Sequence, residues 1–538
     1  MEKGKNKFSR RSLLKGLAGI PIVGGVLAGA LAESTTSQKK KEKILSSLNI
    51  DASPPPPVGS MAGEPIKIGI IGFGGRGEHL CRASGHATKE WLSEANAGAI
   101  AAFHGQESLN TKITAVCDLF NIRANRAMSL GADVRHFRSY QDLLEKGDVD
   151  AIIIATADHW HAPISIAALN AGKHVYVEKP MTHNIAETYA LRETVRDNPN
   201  MVFAVGHQHR QTQSFLTAQD VINKKILGHI SLIQVNTNRN SDNGAWQYHI
   251  HEKASPETID WNQFLGSAPK IPFNGEHFFR WRKWWAYGSG LSGDLMTHDY
   301  DRINCILKMG IPKYVSASGG IYTHRDGRNV PDVFQVSMEY PDLATGQDTG
   351  KTKGMTLLYS ATLGNQHHRK TLLMGTEASM ELGNSLTIYA DPASQKFKGM
   401  MEENIISGGE PIYSYDPAGN NVDGITSATS KYFADKGLLW TYRDGKRVDS
   451  TFLHIKEWLS CIRNGGKPSC GIDEGFEEAI TAHMAGLAYK LGRTIAWDTD
   501  KGEIIGLPGE DLDEILLSNM EKVDRMGYQG FDQLDVSG

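Results

Sequence analysis

Two hydrophobic rhythms divide the chain. Between residues 66 and 205, short apolar runs at 66–71, 113–118, 135–137, 151–154, 174–178 and 201–205 alternate with stretches of helical spacing such as 165–171 and 186–195. The strongest run carries Ile66, Ile68, Ile70 and Ile71, as suits a central strand covered on both faces. Strands alternating with helices predict an α/β fold with a doubly wound parallel sheet. Beyond residue 206 the rhythm changes. Phe334, Val336, Met338 and Tyr340 alternate with Gln335, Ser337 and Glu339, the pattern of an antiparallel strand with one covered face. The runs 230–237, 314–318, 355–360 and 371–374 read as its companions. Near the end, Phe452, Ile455, Leu459 and Ile462, then Phe476, Ile480, Met484, Leu487 and Leu491, repeat at helical spacing and read as core faces.

The first strand breaks into Gly72-Phe73-Gly74-Gly75-Arg76-Gly77, which sets Gly72, Gly74 and Gly77 in G-x-G-x-x-G spacing. The first glycine permits a tight turn, the second lets backbone approach a pyrophosphate, and the third lets the next helix sit close to the strand with its amides facing the phosphates. The second strand ends in Asp118, where a carboxylate accepts hydrogen bonds from ribose hydroxyls and repels a 2'-phosphate. This favours NAD over NADP as cofactor. Asp118 lies 41 residues after Gly77, about twice the usual separation, so residues 85–110 are an insertion.

The N-terminus reads as an address. Residues 1–32 start basic and continue without charge from Gly16 to Ala32, and Ser9-Arg10-Arg11-Ser12-Leu13-Leu14-Lys15 resembles the twin-arginine export motif. That predicts the twin-arginine translocase as a partner and the periplasm or cell envelope as the location. Residues 33–65, with Lys39-Lys40-Lys41 and Pro54 to Pro57, read as an extended arm or linker, which in a minority of cases lies across a cofactor cleft. At 538 residues and 40% hydrophobic, the chain is long enough for two or three domains, and a net charge of −4 gives no reason to expect nucleic acid. Its five cysteines lie far apart and read as buried thiols, with a Cys461 to Cys470 bridge as the alternative.

Ala155-Thr156-Ala157-Asp158-His159-Trp160-His161, followed by the block from Ala167 through Gly172-Lys173-His174-Val175-Tyr176-Val177-Glu178-Lys179-Pro180, resembles the signature of the Gfo/Idh/MocA oxidoreductases. The resemblance covers roughly residues 66–498 and departs at Ala157, where the family commonly has proline. It implies an N-terminal Rossmann doubly wound parallel sheet plus a C-terminal α/β domain with an open, largely antiparallel sheet covering the nicotinamide. The expected division is 66–206 for the NAD-binding domain, 207–500 for the second and 501–538 for a tail without a functional reading. Gly72 to Gly77, Asp118, Thr156, His161, Glu178 and Lys179 are the expected cofactor contacts.

Lys179 follows a buried strand at the carboxyl edge of the sheet, where ligands of such folds bind, and an ammonium there stabilises a developing alkoxide. In the second half, glycines precede a helix carrying Asp294 and His298 at i and i+4, on one helical face. Carried over from the family, His298 removes the hydroxyl proton and Asp294 binds or orients substrate. The pairs His159-x-His161 and His207-x-His209 have a spacing that can chelate, but their place beside family motifs favours sugar or nicotinamide contacts over a metal. Trp246, Trp261, Phe278, Phe279, Trp281, Trp284, Trp285 and Tyr287, interleaved with Arg280, Arg282 and Lys283, suit the apolar faces and hydroxyl rims of a sugar. His207, Arg210, Trp281, Arg282, Tyr287 and Tyr300 are the expected substrate contacts. The combined expectation is an exported oxidoreductase with tightly held NAD, taking hydride from a secondary alcohol of a sugar or glycoside. A redox-neutral NAD-dependent glycosidase is the alternative, and a non-catalytic sugar-binding protein the third possibility. A homo-oligomer is expected.

Overall fold

The structure, a computed structural model, describes residues 21–343, 354–367, 369–419, 421–426, 440–443 and 445–505. The twin-arginine motif and the tail beyond residue 505 lie outside the described residues. Six parallel strands form the first sheet: β1 (Ile66–Ile71), β2 (Thr111–Cys117), β3 (Arg135–His136), β4 (Ala151–Ile154), β5 (His174–Val177) and β6 (Phe203–Val205), in the order β3-β2-β1-β4-β5-β6. The isoleucine strand β1 is central, as its burial pattern requires, and the order reverses between β1 and β4. A crevice opens at that reversal, past the carboxyl ends of the strands. The insertion folds into two short helices, Lys89–Glu94 and Ala97–His104, capped by Thr88 and Asn96.

The second sheet has eleven strands: β7 (Ile230–Asn238), β8 (Tyr314–Gly320), β9 (Val333–Tyr340), β10 (Met355–Thr362), β11 (Thr371–Gly375), β12 (Ala378–Leu382), β13 (Leu386–Ala390), β14 (Pro411–Asp416), β15 (Asn421–Gly424), then β18 (Ile495–Asp498) and β19 (Glu503–Ile505). Its order is β15-β14-β13-β12-β11-β7-β10-β9-β8-β18-β19, antiparallel except where β7 runs parallel to β10. A separate hairpin pairs β16 (Trp440–Arg443) with β17 (Lys446–Asp449). Helix Ser450–Asn464 then returns to the first sheet, placing Phe452, Ile455, Trp458 and Leu459 in one cluster with Ile66, Ile68 and Ile70. Helix Ile472–Leu491 packs on β8 and on helix Ile185–Asp197, so it touches both halves.

One reading of the sequence needs correction. Residues expected to form an extended arm are helical over their first part, within helix Pro21–Leu48. Ile44 and Leu48, one turn apart, are buried against β14 and β15, and Lys41 pairs with Asp423 at 3.2 Å. The helix packs against β14 and β15 so closely that a Cβ on Gly424 would lie 2.7 Å from Lys41 O. From there the chain is extended and strapped down: Ser53 N–H donates to Leu216 O at 3.0 Å, Gly59 N–H to Ser460 Oγ at 2.7 Å, and Arg463 reaches Glu64 O at 2.9 Å. None of it lines the cleft. The possible Cys461 to Cys470 bridge does not form, since all five cysteines are free and buried. Among the described residues no helix is long and apolar enough to cross a membrane.

Candidate active site

A cleft of about 700 Å³ runs from the ends of β1, β2 and β4 to the start of helix Thr297–Leu307. Its nucleotide end is main chain. Gly72 has φ +88°, and a Cβ there would lie 2.6 Å from Ala155 O; a Cβ on Gly77 would lie 2.1 Å from Gly72 O. Both positions therefore exclude any side chain. Gly74 N-caps helix Gly75–Ala83 without a side-chain hydrogen bond, and nothing lies within 4 Å of a Cβ built on Gly75. First-turn amides are thus left facing open space, the arrangement that receives a pyrophosphate. Phe73 serves through its main chain: its ring is buried, and its N–H donates to Asp118 Oδ2 at 2.6 Å. Phe120 N–H holds the other oxygen, Asp118 Oδ1, at 2.8 Å. This fixed carboxylate at the end of β2, with the bare cradle at β1, fits a dinucleotide.

Thr156, His161, Glu178 and Lys179 all line the cleft. The His161 ring is buried, with Nδ1 2.7 Å from Pro180 O and Nε2 3.2 Å from Thr156 O, so one imidazole ties together the loops after β4 and β5. Glu178 accepts from Arg76 Nε at 2.8 Å, and Arg76 also reaches Gln208 at 3.3 Å.

The opposite end is made of side chains. Lys179 Nζ donates to the main-chain oxygen of Asp294 and lies 3.2 Å from Asp294 Oδ1. The same carboxylate accepts from Arg282 Nε at 3.0 Å and from the Trp246 indole N–H at 2.9 Å. Burial alone would raise the Asp294 carboxyl, but Lys179, Arg282 and Arg239 outweigh it and hold it well below the usual carboxylate range. His298 lines the same cleft. Burial lowers its pKa well below the ordinary imidazole value, and Lys179, His209, His207 and Arg302 push the same way. That lowering keeps the ring a neutral imidazole, and its Nδ1, itself buried, has no hydrogen-bond partner among the described residues. The backbone carrying Asp294 is a π-helical turn, Ser292–Met296, rather than the expected α-helix. Both side chains line the cleft, but the carboxylate bonds to Lys179, Arg282 and Trp246 while the imidazole packs 4.9 Å from the ring of His209.

Of the expected substrate contacts, Trp281 and Arg282 line this end, stacked with the guanidinium 4.1 Å from the indole centre. His207, Arg210, Tyr287 and Tyr300 do not line the cleft. Arg210 is buried in an ion pair with Asp301 at 2.6 Å, and His207 sits between Asp301 and Glu478 at 3.7 and 3.4 Å. Burial would lower the His207 imidazole, but those two acids outweigh it and raise it. Tyr287 bonds His277 at 3.1 Å within an aromatic cluster, and Tyr300 donates to Gly310 O at 2.7 Å. The polar heads of Arg210, Tyr287 and Tyr300 are bonded inside the core, and the buried His207 ring is held between two acids with its Nε2 making no hydrogen bond among the described residues. His207, Asp301 and Cys470 converge, but Arg210 Nε already occupies both Asp301 oxygens at 2.9 and 3.1 Å, and that fixed cation opposes a metal ion.

The aromatic concentration also divides. Trp261, Phe278, Phe279, Trp284 and Tyr287 form a cluster with Phe120 and Phe264, while Trp246 and Trp285 join the main core. At the nucleotide end Arg123 stacks 5.1 Å from Phe279, and at the other end Arg239, Tyr248 and His249 complete the wall. The sequence reading missed these last four residues. Arg123 follows Asp118 by five positions, a spacing that hints at the same pocket; in the loop after β7 the aromatic pattern marked Trp246 but not Arg239, Tyr248 or His249.

A parallel sheet with a bare glycine cradle, and a lysine, a carboxylate and a neutral histidine gathered at the far end of one cleft, define a nucleotide-dependent oxidoreductase class. Residues 66–207 match the oxidoreductase family with an NAD-binding Rossmann fold, and residues 220–496 match the C-terminal alpha/beta domain of that family. The chain belongs to the Gfo/Idh/MocA oxidoreductases. It is 29% identical over 136 residues to inositol 2-dehydrogenase of Salmonella paratyphi B, which is 24% of this chain and 40% of that protein. It is 30% identical over 200 residues to a glycosyl hydrolase family 109 protein 2 of Shewanella sp., covering 35% of this chain and 37% of that protein. The matched stretches thus span about 40% of the length of these curated relatives. Among solved structures, levoglucosan dehydrogenase in complex with NADH aligns with a TM-score of 0.52 over 80% of this chain and 99% of that one, at 18% identity, a likeness of fold.

Proposed function

We propose that the protein is an exported NAD-dependent dehydrogenase that oxidises a secondary alcohol of a sugar or glycoside. The observation that carries this reading is the convergence of Lys179 and Asp294 with the neutral His298 in the cleft that begins at the glycine cradle. Nicotinamide bound there supplies the hydride acceptor. The residues of this chain supply the rest. The His298 imidazole takes the hydroxyl proton; the Lys179 ammonium stabilises the alkoxide as the C–H electron pair departs. Asp294 stays ionised and holds Lys179 and Arg282 in place, and Trp281 offers a face to the sugar ring. The names of the relatives, inositol and levoglucosan dehydrogenases, support a polyol or sugar substrate.

The twin-arginine pattern supports export to the periplasm, where free NAD is not at hand, so the cofactor is held tightly and restored in place. The similarity to a glycosyl hydrolase family 109 protein supports a second reading, in which transient oxidation acidifies the neighbouring C–H, the aglycone is eliminated and the oxidation is reversed. One experiment tests both. The protein is purified without added nucleotide and denatured to identify what it releases, and intact enzyme is incubated with a glycoside panel. A keto-sugar product is expected; free aglycone with unchanged nucleotide would favour the hydrolase, and absence of nucleotide would reject both.

A further inference from the structure

The loop after β7 combines a braced base with a polar crown. At its base Trp246, at φ +64° and fully buried, donates its indole N–H to Asp294 Oδ2 at 2.9 Å. Arg328 stands 5.8 Å from that indole and donates to Ala245 O at 2.9 Å. Lys283 holds Gln247 at 2.9 Å, while Ala245 and Gln247 N–H groups close turns onto Ser241 O and Asp242 O at 2.8 and 2.7 Å. A surface loop needs none of this to stay in place. On its outer side Asn240, Ser241, Asp242, Asn243 and His249 are exposed.

Two hollows open over that crown. One, of about 480 Å³, is lined by Asn238, Asn240, Asn243 and Gln366 and shares Arg239 and Tyr248 with the main cleft. The other, of about 580 Å³, is lined by Asp242, Asn243 and Arg280 and shares His249 with it. Through Arg239, Tyr248 and His249 the cleft therefore continues onto a surface of carboxamides and a hydroxyl. Each carboxamide offers two donors and an acceptor on adjacent atoms, which matches neighbouring hydroxyls of a pyranose. At the junction Tyr248 supplies an aromatic face, with Arg282 5.7 Å from its centre.

We propose that residues 238–249 form a subsite for a second sugar unit, so that the substrate is a disaccharide or longer glycan. The reacting ring lies at Lys179 and His298, and its neighbour lies over Tyr248 and the asparagines. A loop fixed through Trp246 to Asp294, the carboxylate that holds Lys179, costs little ordering on binding, which is the physical use of so much bracing under an exposed polar surface. This rests on the saccharide reading of the cleft.

The test uses the protein as purified with its nucleotide. Affinities are measured by calorimetry for methyl glycosides of glucose, galactose and N-acetylglucosamine, and for cellobiose, lactose, maltose and chitobiose. At least one disaccharide is expected to bind about tenfold more tightly than either component, and the double variant Asn240→Ala/Asn243→Ala is expected to erase that advantage while keeping the nucleotide and the monosaccharide affinity. Equal affinity for single and paired sugars, or a disaccharide preference that survives in the double variant, overturns the subsite. If monosaccharides are oxidised without any disaccharide advantage, the subsite falls and the dehydrogenase reading stands. If no sugar binds, both fall.

Discussion

At the end of the cleft bounded by Gly72, Gly74 and Gly75 the surface is peptide backbone, set by one strand, one turn and one helix that are continuous in sequence. At the end bounded by Lys179, Asp294 and His298 the surface is side chains from separate segments: the loop after β5, the π turn, the following helix, and Trp246 and Arg282 behind them. The first kind of site depends on the absence of side chains at a few positions. The second depends on the tertiary packing that delivers five side chains to one point. Damage should therefore separate: lesions at one end cost nucleotide, lesions at the other cost turnover.

The sharpest test of that separation is His298→Ala or Lys179→Ala. Either is expected to lower turnover by about 10³-fold, the worth of a positioned proton-transfer group, while the purified protein keeps its nucleotide. Near-normal turnover in both would break the assignment. At the other end Gly72→Ala or Gly77→Ala forces a Cβ into a main-chain oxygen. The expected outcome is protein purified without nucleotide and destabilised by about 1–3 kcal/mol, read as a lowered Tm. A Gly77→Ala protein that retains full nucleotide would show that the cradle is less tight than its geometry.

A smaller effect is expected from Trp246→Phe, which removes one hydrogen bond to Asp294 and keeps most of the ring. Turnover should fall by about tenfold with nucleotide content unchanged. An equal loss of nucleotide would mean that the two ends are mechanically coupled. The mildest test is pH. Because His298 is depressed below the ordinary 6.5, the acid limb of kcat/KM should lie below pH 6.5. Stability should follow a different pair: burial holds His159 and His483 down to about 3 from 6.5. Below pH 6.5 the unfolded chain takes up protons that the folded chain refuses, so Tm should fall progressively between pH 6.5 and 3 and stay flat with respect to these groups above it. A Tm independent of pH in that window would show that these rings are not neutral in the fold.

The distinction between the two ends also explains what was legible beforehand. The strand-turn-helix at 66–83 and Asp118 can be read from spacing because the parts are local and their steric demands fall on residue type. Lys179, Asp294 and His298 were found through the resemblance of their flanking blocks, and both cleft-facing aromatic and cationic candidates Trp281 and Arg282 came from composition. His207, Arg210, Tyr287 and Tyr300 looked equally suitable, yet their partners Asp301, Glu478, His277 and Gly310 O bury them. A residue's chemistry is visible in sequence; whether a partner at distance already consumes it is not. The helical segment ending at Leu48 escapes the pattern for the same reason, since Ile44, Leu45 and Leu48 after a run of lysines give a weak stripe until β14 and β15 are there to receive them.

By itself the sequence determined the alternation that makes a parallel sheet, the cradle after its central strand and the acid at the end of the second strand, because these follow from backbone sterics and neighbouring residues. Only the tertiary structure decided which of many histidines, arginines and aromatics reach the cleft, and that the loop carrying Trp246 is tied to Asp294. Those outcomes depend on the packing of the large sheet and the helices Thr297–Leu307 and Ile472–Leu491, where burial and pairing between residues far apart along the chain settle which polar groups remain available for chemistry.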